Sequence, residues 1–256
     1  LSRFSGCWVG LKCVHDTIES SASIAVSPEL SPLILPDDFE MPPDGLNIRS
    51  TDGFLEQEWR LHNQKFPAVQ AFVRANKIDR VMMGGADAHT GVVTTGKSYL
   101  DVRRALLELG IDERKARQLG LRLYKVGMTW PLEPRGAIEF SKDLEQIIVI
   151  EEKRGLVEDQ LKSILYGMSS APSIVGKTDE QGSTLFGVAG RLEASEIALQ
   201  LSRRLREAEI DSELRNRIER VRKIAEKEDQ FSPAMIRTAY FCAGCPHNSS
   251  TIVPEG

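Results

Sequence analysis

The chain has 256 residues, 41% of them hydrophobic, and a formal net charge of −4. That length and apolar content suffice to bury a real core, as one main domain with appendages. The slight acidity gives no electrostatic case for nucleic acid or an anionic membrane as partner. Four cysteines in a chain this long do not make a disulfide scaffold, so a reducing cytoplasm is expected. The longest apolar stretch near the start, Cys7 to Val14, is broken by Lys12 and is far too short to span a bilayer. No signal peptide is recognisable. The chain opens on Leu1 rather than Met and stops soon after a CxxC motif, so a piece of a longer protein is expected.

Taken in order, the first pattern is helical, from Trp8 to Ser20. Between Ala25 and Asp52 the prolines at 28, 32, 36, 42 and 43 forbid a long helix, because each removes a donor and restricts its neighbour. The reading there is an extended linker with a short strand at Leu33–Leu35, of the kind that wraps another domain. Leu55 to Asn76 reads as a helix interrupted by Pro67. An interior proline costs about 3 kcal/mol, so a kink or two helices meeting near Phe66 is expected. Asp79-Arg80-Val81 and the Gly84-Gly85 turn lead to the central unit.

Gly91 to Thr95 is β-branched and bounded by glycine, the mark of a strand. Ser98 with Asp101 three residues on makes a capping-box pattern, and Val102, Ala105, Leu106 and Leu109 then give one apolar helix face. Gly110 ends that helix, Asp112 starts a short one, and Gly120 stops it. Leu121 to Val126 is the next strand. Pro131 and Pro134 bracket the approach to a helix running through Leu144. Ile147 to Ile150 is an unbroken apolar run suited to burial on both sheet faces. Leu156, Leu161, Ile164 and Leu165 continue in a helix, and Ser173 to Gly176 reads as a last strand. Strands alternating with helices imply parallel pairing through right-handed crossovers, hence a small doubly wound α/β sheet. Two helices follow, Arg191–Glu209 and Asp211–Glu228. Their stripes, Ala194, Ala198, Leu201, Leu205, Ala208 and Leu214, Ile218, Val221, Ala225, predict a helical hairpin, read as a spacer leading out. Its arginines are matched by glutamates, which favours a solvated salt-bridged face.

Four places stand out. The turn through Gly96, Lys97 and Ser98 joins a strand to a helix N-terminus, and free N–H groups, the helix dipole and a lysine together suit an anion. It lacks the first glycine and spacing of a Walker loop, and a structural turn is the plainer reading. Glu151-Glu152-Lys153-Arg154 follows a buried strand at the end where α/β proteins place ligands; a solvated charge run or a cross-domain contact both fit. Trp130-Pro131-Leu132-Glu133-Pro134 is a rigid turn or an interface anchor. Cys242 and Cys245, with Gly244 between and His247 after, are the richest motif: two thiolates at this spacing suit one metal or a cluster edge. A cluster needs four protein ligands, and Cys7 and Cys13 lie far off in sequence, so two free thiols stand as the alternative. His15, His62 and His89 show no ligand spacing, and no Ser–His–Asp or paired-carboxylate arrangement emerges from order alone.

The strings TGKSYLDVRRALLELGI, LRLYKVGMTWPLEP and IIVIEEKRGLVEDQL resemble the middle region of indolepyruvate:ferredoxin oxidoreductases in their long fused bacterial form. YFCAGCPHNSSTIVPEG looks like the opening of that family's thiamine-diphosphate domain, while SGCWVGLKCVHDTIESSASI and MPPDGLNIR fit the segment leaving its pyrimidine-type domain. The resemblance implies oxidative decarboxylation of aryl 2-oxoacids to acyl-CoA with electrons passed through iron–sulfur clusters to ferredoxin. It implies thiamine diphosphate, Mg2+, an iron–sulfur cluster and coenzyme A as cofactors of the full enzyme, and a homodimer as its assembly. Residues 1–52 would end the preceding domain and form a linker, and 53–187 would be a transketolase C-terminal-like domain. The hairpin would occupy 188–228, and 229–256 would begin the thiamine domain. Related enzymes place cluster ligands where Cys242 and Cys245 stand, and His247 would face the cofactor. Alone, the chain is expected to be an inactive connecting module. The alternatives are a non-catalytic dimerisation or docking element, or a nucleotide- or CoA-binding α/β domain using Lys97 and Ser98.

Overall fold

Five strands form one sheet in the order β1-β3-β2-β4-β5: β1 (Arg80–Met83), β2 (Thr90–Thr95), β3 (Leu121–Val126), β4 (Gln146–Ile150) and β5 (Ser173–Val175). The computed structural model describes residues 1–27, 32–230 and 241–253. Strands β2 to β5 pair in parallel, and β1 closes one edge antiparallel to β3. The chain moves from β2 to one side for β3, then crosses back to the other side for β4. This reversal makes a topological switch point between β2 and β4, and the fold is the expected doubly wound α/β sheet.

Alternation along the strands sorts side chains onto two faces. Val92, Leu121, Leu123, Ile148 and Ile150 face one way, into a cluster with α5 (Gly96–Glu108) and α6 (Glu113–Gln118). Val93, Tyr124, Val126, Ile147 and Val149 face the other, against α7 (Pro134–Ser141) and α8 (Leu156–Leu165). Gly91 is side-chain-free because α7 and the loop after it sit directly on the strand. A Cβ there would fall 2.6 Å from Leu144 and 2.8 Å from Phe140. Arg122, buried on β3, donates to the carbonyls of Gly85, Ala86, Phe140 and Lys142, so its charge meets the C-terminal end of α7 rather than a carboxylate.

The hairpin is present as α9 (Ala194–Ser202), a 3₁₀ turn at Glu207–Glu209 and α10 (Ser212–Gln230). It is not a spacer. Ile197, Ala198, Leu201, Leu205, Leu214 and Val221 belong to the same apolar cluster as β2, β4 and α5, so its stripes are consumed inside the α/β body. His89 Nε2 lies 3.0 Å from Glu209 Oε1 and its Nδ1 3.0 Å from Thr90 Oγ1, which ties the hairpin's turn to the N-terminal edge of the sheet.

Before the sheet, α3 (Phe54–Arg60) and α4 (Phe66–Ala75) are joined by a π-helical turn, Leu61–Lys65. The Phe66 N–H reaches back to the Leu61 carbonyl, and Pro67, with no N–H to offer, sits at the start of α4. Two segments meeting at Phe66 is what the proline predicted. Other expectations near the N-terminus do not hold. Helix occupies Ser2–Ser5 (α1) and His15–Ile18 (α2) rather than Trp8 to Ser20. The side chain of Trp8 is fully exposed, so no packed face supports a helix there, and short unsupported helices are marginal in water. Leu33–Leu35 forms no strand. The Asn76 amide takes the place of a ladder partner, accepting from the Ile34 N–H at 3.0 Å and donating to its carbonyl at 2.8 Å. Among the described residues no helix is long and apolar enough to cross a membrane.

Candidate functional site

The carboxyl ends of β2 and β4, where an open α/β sheet offers a crevice, carry both the Gly96–Ser98 turn and the Glu151–Arg154 run. The turn departs from its sequence reading. Gly96 takes a φ of +53°, a left-handed conformation that bends strand directly into helix, so α5 begins at Gly96 rather than after a Ser98 cap. Thr95 stands at the cap position, and its hydroxyl donates to the Val126 carbonyl at 2.8 Å instead of capping. Ser98 is buried in the first turn. Lys97 is not a free cation: its Nζ is 3.0 Å from Asp101 Oδ2 and 3.5 Å from Glu152 Oε1. Burial works against the Lys97 charge, but hydrogen bonding and charge from Asp101, then Glu152, outweigh it, and its pKa is raised. Burial, the largest influence on Asp101, moves that carboxyl upward against the pull of Lys97, with Glu152 and Glu193 adding to the rise. The crevice therefore supplies its own counter-charges to Lys97, which leaves little positive potential for an external anion.

The charge run after β4 is not solvated at its start. Glu151 is 4% exposed. Its carboxylate accepts from the Val157 N–H at 2.9 and 3.1 Å and from the Glu158 N–H at 2.9 Å, filling the N-terminus of α8 as a bound anion would. Glu158, also buried, accepts from the Lys177 N–H at 2.8 Å and pairs with Lys162 at 2.6 Å. The Lys177 ammonium donates to the Glu151 carbonyl. Gly176 must lack a side chain here, since a Cβ would stand 2.3 Å from Glu158 Oε2. Burial raises the Glu151 pKa, offset in part by the two N–H donors and Lys177, and burial lowers that of Lys177. Helix α8 and β5 are thus locked to the end of β4 by an internal network that sequence order did not reveal.

A second network sits at the carboxyl end of β3. Glu133, 2% exposed, accepts from the N–H groups of Arg135 at 3.0 Å and Gly136 at 2.6 Å, capping α7, and from Arg74 at 2.7 Å. Arg74 also bonds Asp38 at 2.6 and 3.0 Å, which fastens the proline-rich strap to α4 and to the Trp130–Pro134 turn. That turn is accordingly an anchor as well as a rigid bend. Asp79 Oδ1 accepts from Gly127 N–H at 2.7 Å and Met128 N–H at 2.9 Å, while its Oδ2 is buried without a partner. Burial raises the Asp79 pKa, and the charge of Glu133 adds to the rise. Tyr124, between these carboxylates, is raised by burial and by both their charges.

Cys242, Cys245 and His247 come together in one turn. Cys245 N–H donates to the Cys242 carbonyl at 3.0 Å, and Cys245 Sγ is 3.2 Å from His247 Nδ1. Both thiols are free. Among the described residues no three His, Cys, Asp or Glu side chains converge as metal ligands. The turn by itself offers two thiols toward the four ligands an iron–sulfur cluster requires. The described residues gather no diphosphate and Mg2+ site, since Lys97 is engaged by carboxylates and Ser98 is buried.

A family model described as "Indolepyruvate oxidoreductase domain" matches residues 80–228, which is the sheet together with the helices through α10. The chain belongs to the indolepyruvate oxidoreductase family. It is 29% identical over 170 residues to indolepyruvate oxidoreductase subunit IorA of Thermococcus kodakarensis, covering 65% of this chain and 23% of that one. The match to the same subunit of Pyrococcus abyssi is 28% over 170 residues, with the same coverage of 65% and 23%. That of Methanothermobacter thermautotrophicus is 30% identical over 105 residues, 41% of this chain and 16% of the relative. The chain thus spans less than a quarter of the curated relatives it matches. Among solved structures, 2-oxoglutarate:ferredoxin oxidoreductase from Magnetococcus marinus aligns with a TM-score of 0.41 at 16% identity, covering 64% of this chain and 25% of that one. A split-gene transketolase aligns at 0.34 and 17%, covering 49% and 40%. Scores this low leave the fold to rest on its own sheet topology.

Proposed function

We propose that the chain is the connecting module of an enzyme that oxidatively decarboxylates aryl 2-oxoacids, indolepyruvate among them, to acyl-CoA with ferredoxin as electron acceptor. The observation that carries this reading is the family match across 80–228, which coincides with one continuously packed α/β body. Thiamine diphosphate, held elsewhere in the full enzyme, would supply the carbanion chemistry that decarboxylation needs. The residues described here do something different. Glu151, Glu158 and Lys177 lock α8 and β5 to β4, and Glu133 with Arg74 ties the strap to α7, so the crevice edge is held rigid by groups that satisfy one another. No reacting group emerges from either network, and the chain alone is expected to be inactive.

Assays on the full-length protein test the reading. Indolepyruvate, supplied with CoA, should reduce ferredoxin or an artificial dye; failure of indolepyruvate, phenylpyruvate and other 2-oxoacids alike would overturn it. A docking role for the same module has one observation in its favour. Apolar side chains stand exposed along the strap and α3, including Trp8, Leu11, Phe54, Leu55 and Trp59, whereas the hairpin's stripes are already buried. The nucleotide-binding alternative finds no free cation at Lys97 and no exposed hydroxyl at Ser98.

A further inference from the structure

The helix that precedes the sheet leaves one face open. Leu55, Trp59, His62 and Phe66 recur at helical spacing along α3, the π-helical turn and the start of α4, which places them on one side of a continuous rod. Leu55 is 72% exposed and Trp59 56%. Trp130, 57% exposed, extends the row by packing edge-on against Phe66 at 5.2 Å, and His62 meets the same ring at 5.3 Å. A contiguous row of large apolar side chains of this kind marks an interaction surface. Beside the ridge lies a cleft of about 290 Å³, between the rod and the segment 48–52, lined among others by Ile48, Arg49, Glu58, Leu61, His62 and Lys65. Its arginines are already paired, Arg49 with Asp44, Asp52 and Glu56, and buried Arg60 with Asp52. The cleft is therefore better suited to a flat uncharged side chain than to a small anion.

The residue pattern of this face is symmetrical about the bond between Arg60 and Leu61. Leu55 and Phe66 lie equally far from that bond, as do Glu56 and Lys65, and Trp59 and His62. Two copies packed antiparallel about a two-fold axis at this point set Leu55 against Phe66 and Glu56 against Lys65, twice over. Glu58 then meets Asn63, so no like charges face each other. A parallel pairing would instead oppose Glu56 to Glu56 and Lys65 to Lys65. Within one copy Glu56 also reaches Arg49 at 3.3 Å, and Lys65 spends one of its N–H groups on the Gly6 carbonyl at 3.2 Å. We infer that this face pairs with the same face of a second copy of the chain, antiparallel, with each Trp59 seated over the other copy's cleft as the anchor of the contact. Twelve helical residues span only about 18 Å. A contact that short belongs to the small, weak class, so a micromolar dimer is expected. The inference gives the docking role noted above a partner and does not rest on the proposed chemistry, so its failure would leave the family placement untouched.

Sedimentation equilibrium of the chain across the micromolar range tests the pairing, with circular dichroism melts to show that each variant folds. The wild-type chain should approach twice its own mass at the upper end. Trp59→Glu, a change at an exposed position, should weaken association at least about tenfold. Glu56→Lys and Lys65→Glu should each weaken it, because each sets like charges together on both sides of the axis. The double variant Glu56→Lys with Lys65→Glu should recover wild-type association, since opposite charges again face each other across the same pairs. A chain that stays monomeric throughout would overturn the inference and assign the ridge to a different occupant. So would a dimer that Trp59→Glu leaves unchanged. A double variant that associates no better than the two single ones would overturn the antiparallel register.

Discussion

Replacing Glu151 by alanine should be the most damaging single change at the crevice edge. The carboxylate is buried and satisfies two backbone donors, Val157 N–H and Glu158 N–H, at the start of α8. Alanine leaves both without partners in a place water does not reach, and each unmade buried hydrogen bond costs about 1–3 kcal/mol. Release of a buried carboxylate returns part of that, so a net loss of about 2–4 kcal/mol is expected. For a domain of this size each kcal/mol corresponds to about 2–4 °C. Glu151→Ala should therefore lower the melting temperature by about 4–16 °C. Glu151→Gln retains the shape and one acceptor, and should cost about half as much. Circular dichroism melts of the three proteins decide the matter. An alanine variant that melts within about 2 °C of wild type would refute the idea that this carboxylate holds the helix start.

Three further outcomes follow from the same physical reasoning. Glu133→Ala removes the α7 cap and one of the two carboxylates that hold Arg74, Asp38 remaining, for an expected loss of about 2–4 kcal/mol in urea unfolding, with the strap around Asp38 becoming more open to protease. Asp79→Asn keeps the acceptor for Gly127 and Met128 but removes the buried negative charge. Because burial raises the wild-type carboxyl above its unfolded pKa, the folded state binds the proton more tightly, and wild-type stability falls as pH rises through the window above the ordinary aspartate range. The variant should gain about 1 kcal/mol at neutral pH, with the advantage vanishing on acidification; an advantage independent of pH would contradict this account. Ile197→Ala should cost about 2–5 kcal/mol in a single unfolding transition if the hairpin shares the sheet's core, whereas a spacer would melt separately and leave the main transition unmoved.

Strands β2 and β4 were legible because Val92-Val93 and Ile147–Ile150 are unbroken apolar runs, and β3 because Leu121–Val126, though interrupted by Arg122 and Lys125, lies between Gly120 and Gly127. Strand β1 was not, since Arg80–Met83 is four residues long and gains its ladder only from β3, some forty residues on. The hairpin's periodicity revealed two apolar stripes but not what they face; the sheet's free α5 side answers that. At the crevice, Gly96, Lys97 and Ser98 were found by pattern, yet their reading as an anion cradle ignored Asp101 and Glu152, which meet Lys97 only once α5 and β4 are side by side. Glu151 was singled out with its charge run, but its capping role was missed for a related reason. Its cap acts across a loop from the end of one strand to a helix six residues later, a span that no local capping pattern covers.

The proposal that this module positions the oxidoreductase without taking part in its chemistry is tested most directly by steady-state assay of the full-length protein for the proposed oxidation of indolepyruvate. With CoA and ferredoxin present, Lys97→Ala and Ser98→Ala should keep kcat within about threefold of wild type, because Lys97 is engaged by Asp101 and Glu152 and Ser98 is buried. A loss of about a hundredfold or more in kcat, with the melting temperature unchanged, would place the turn in the catalytic machinery and contradict the account.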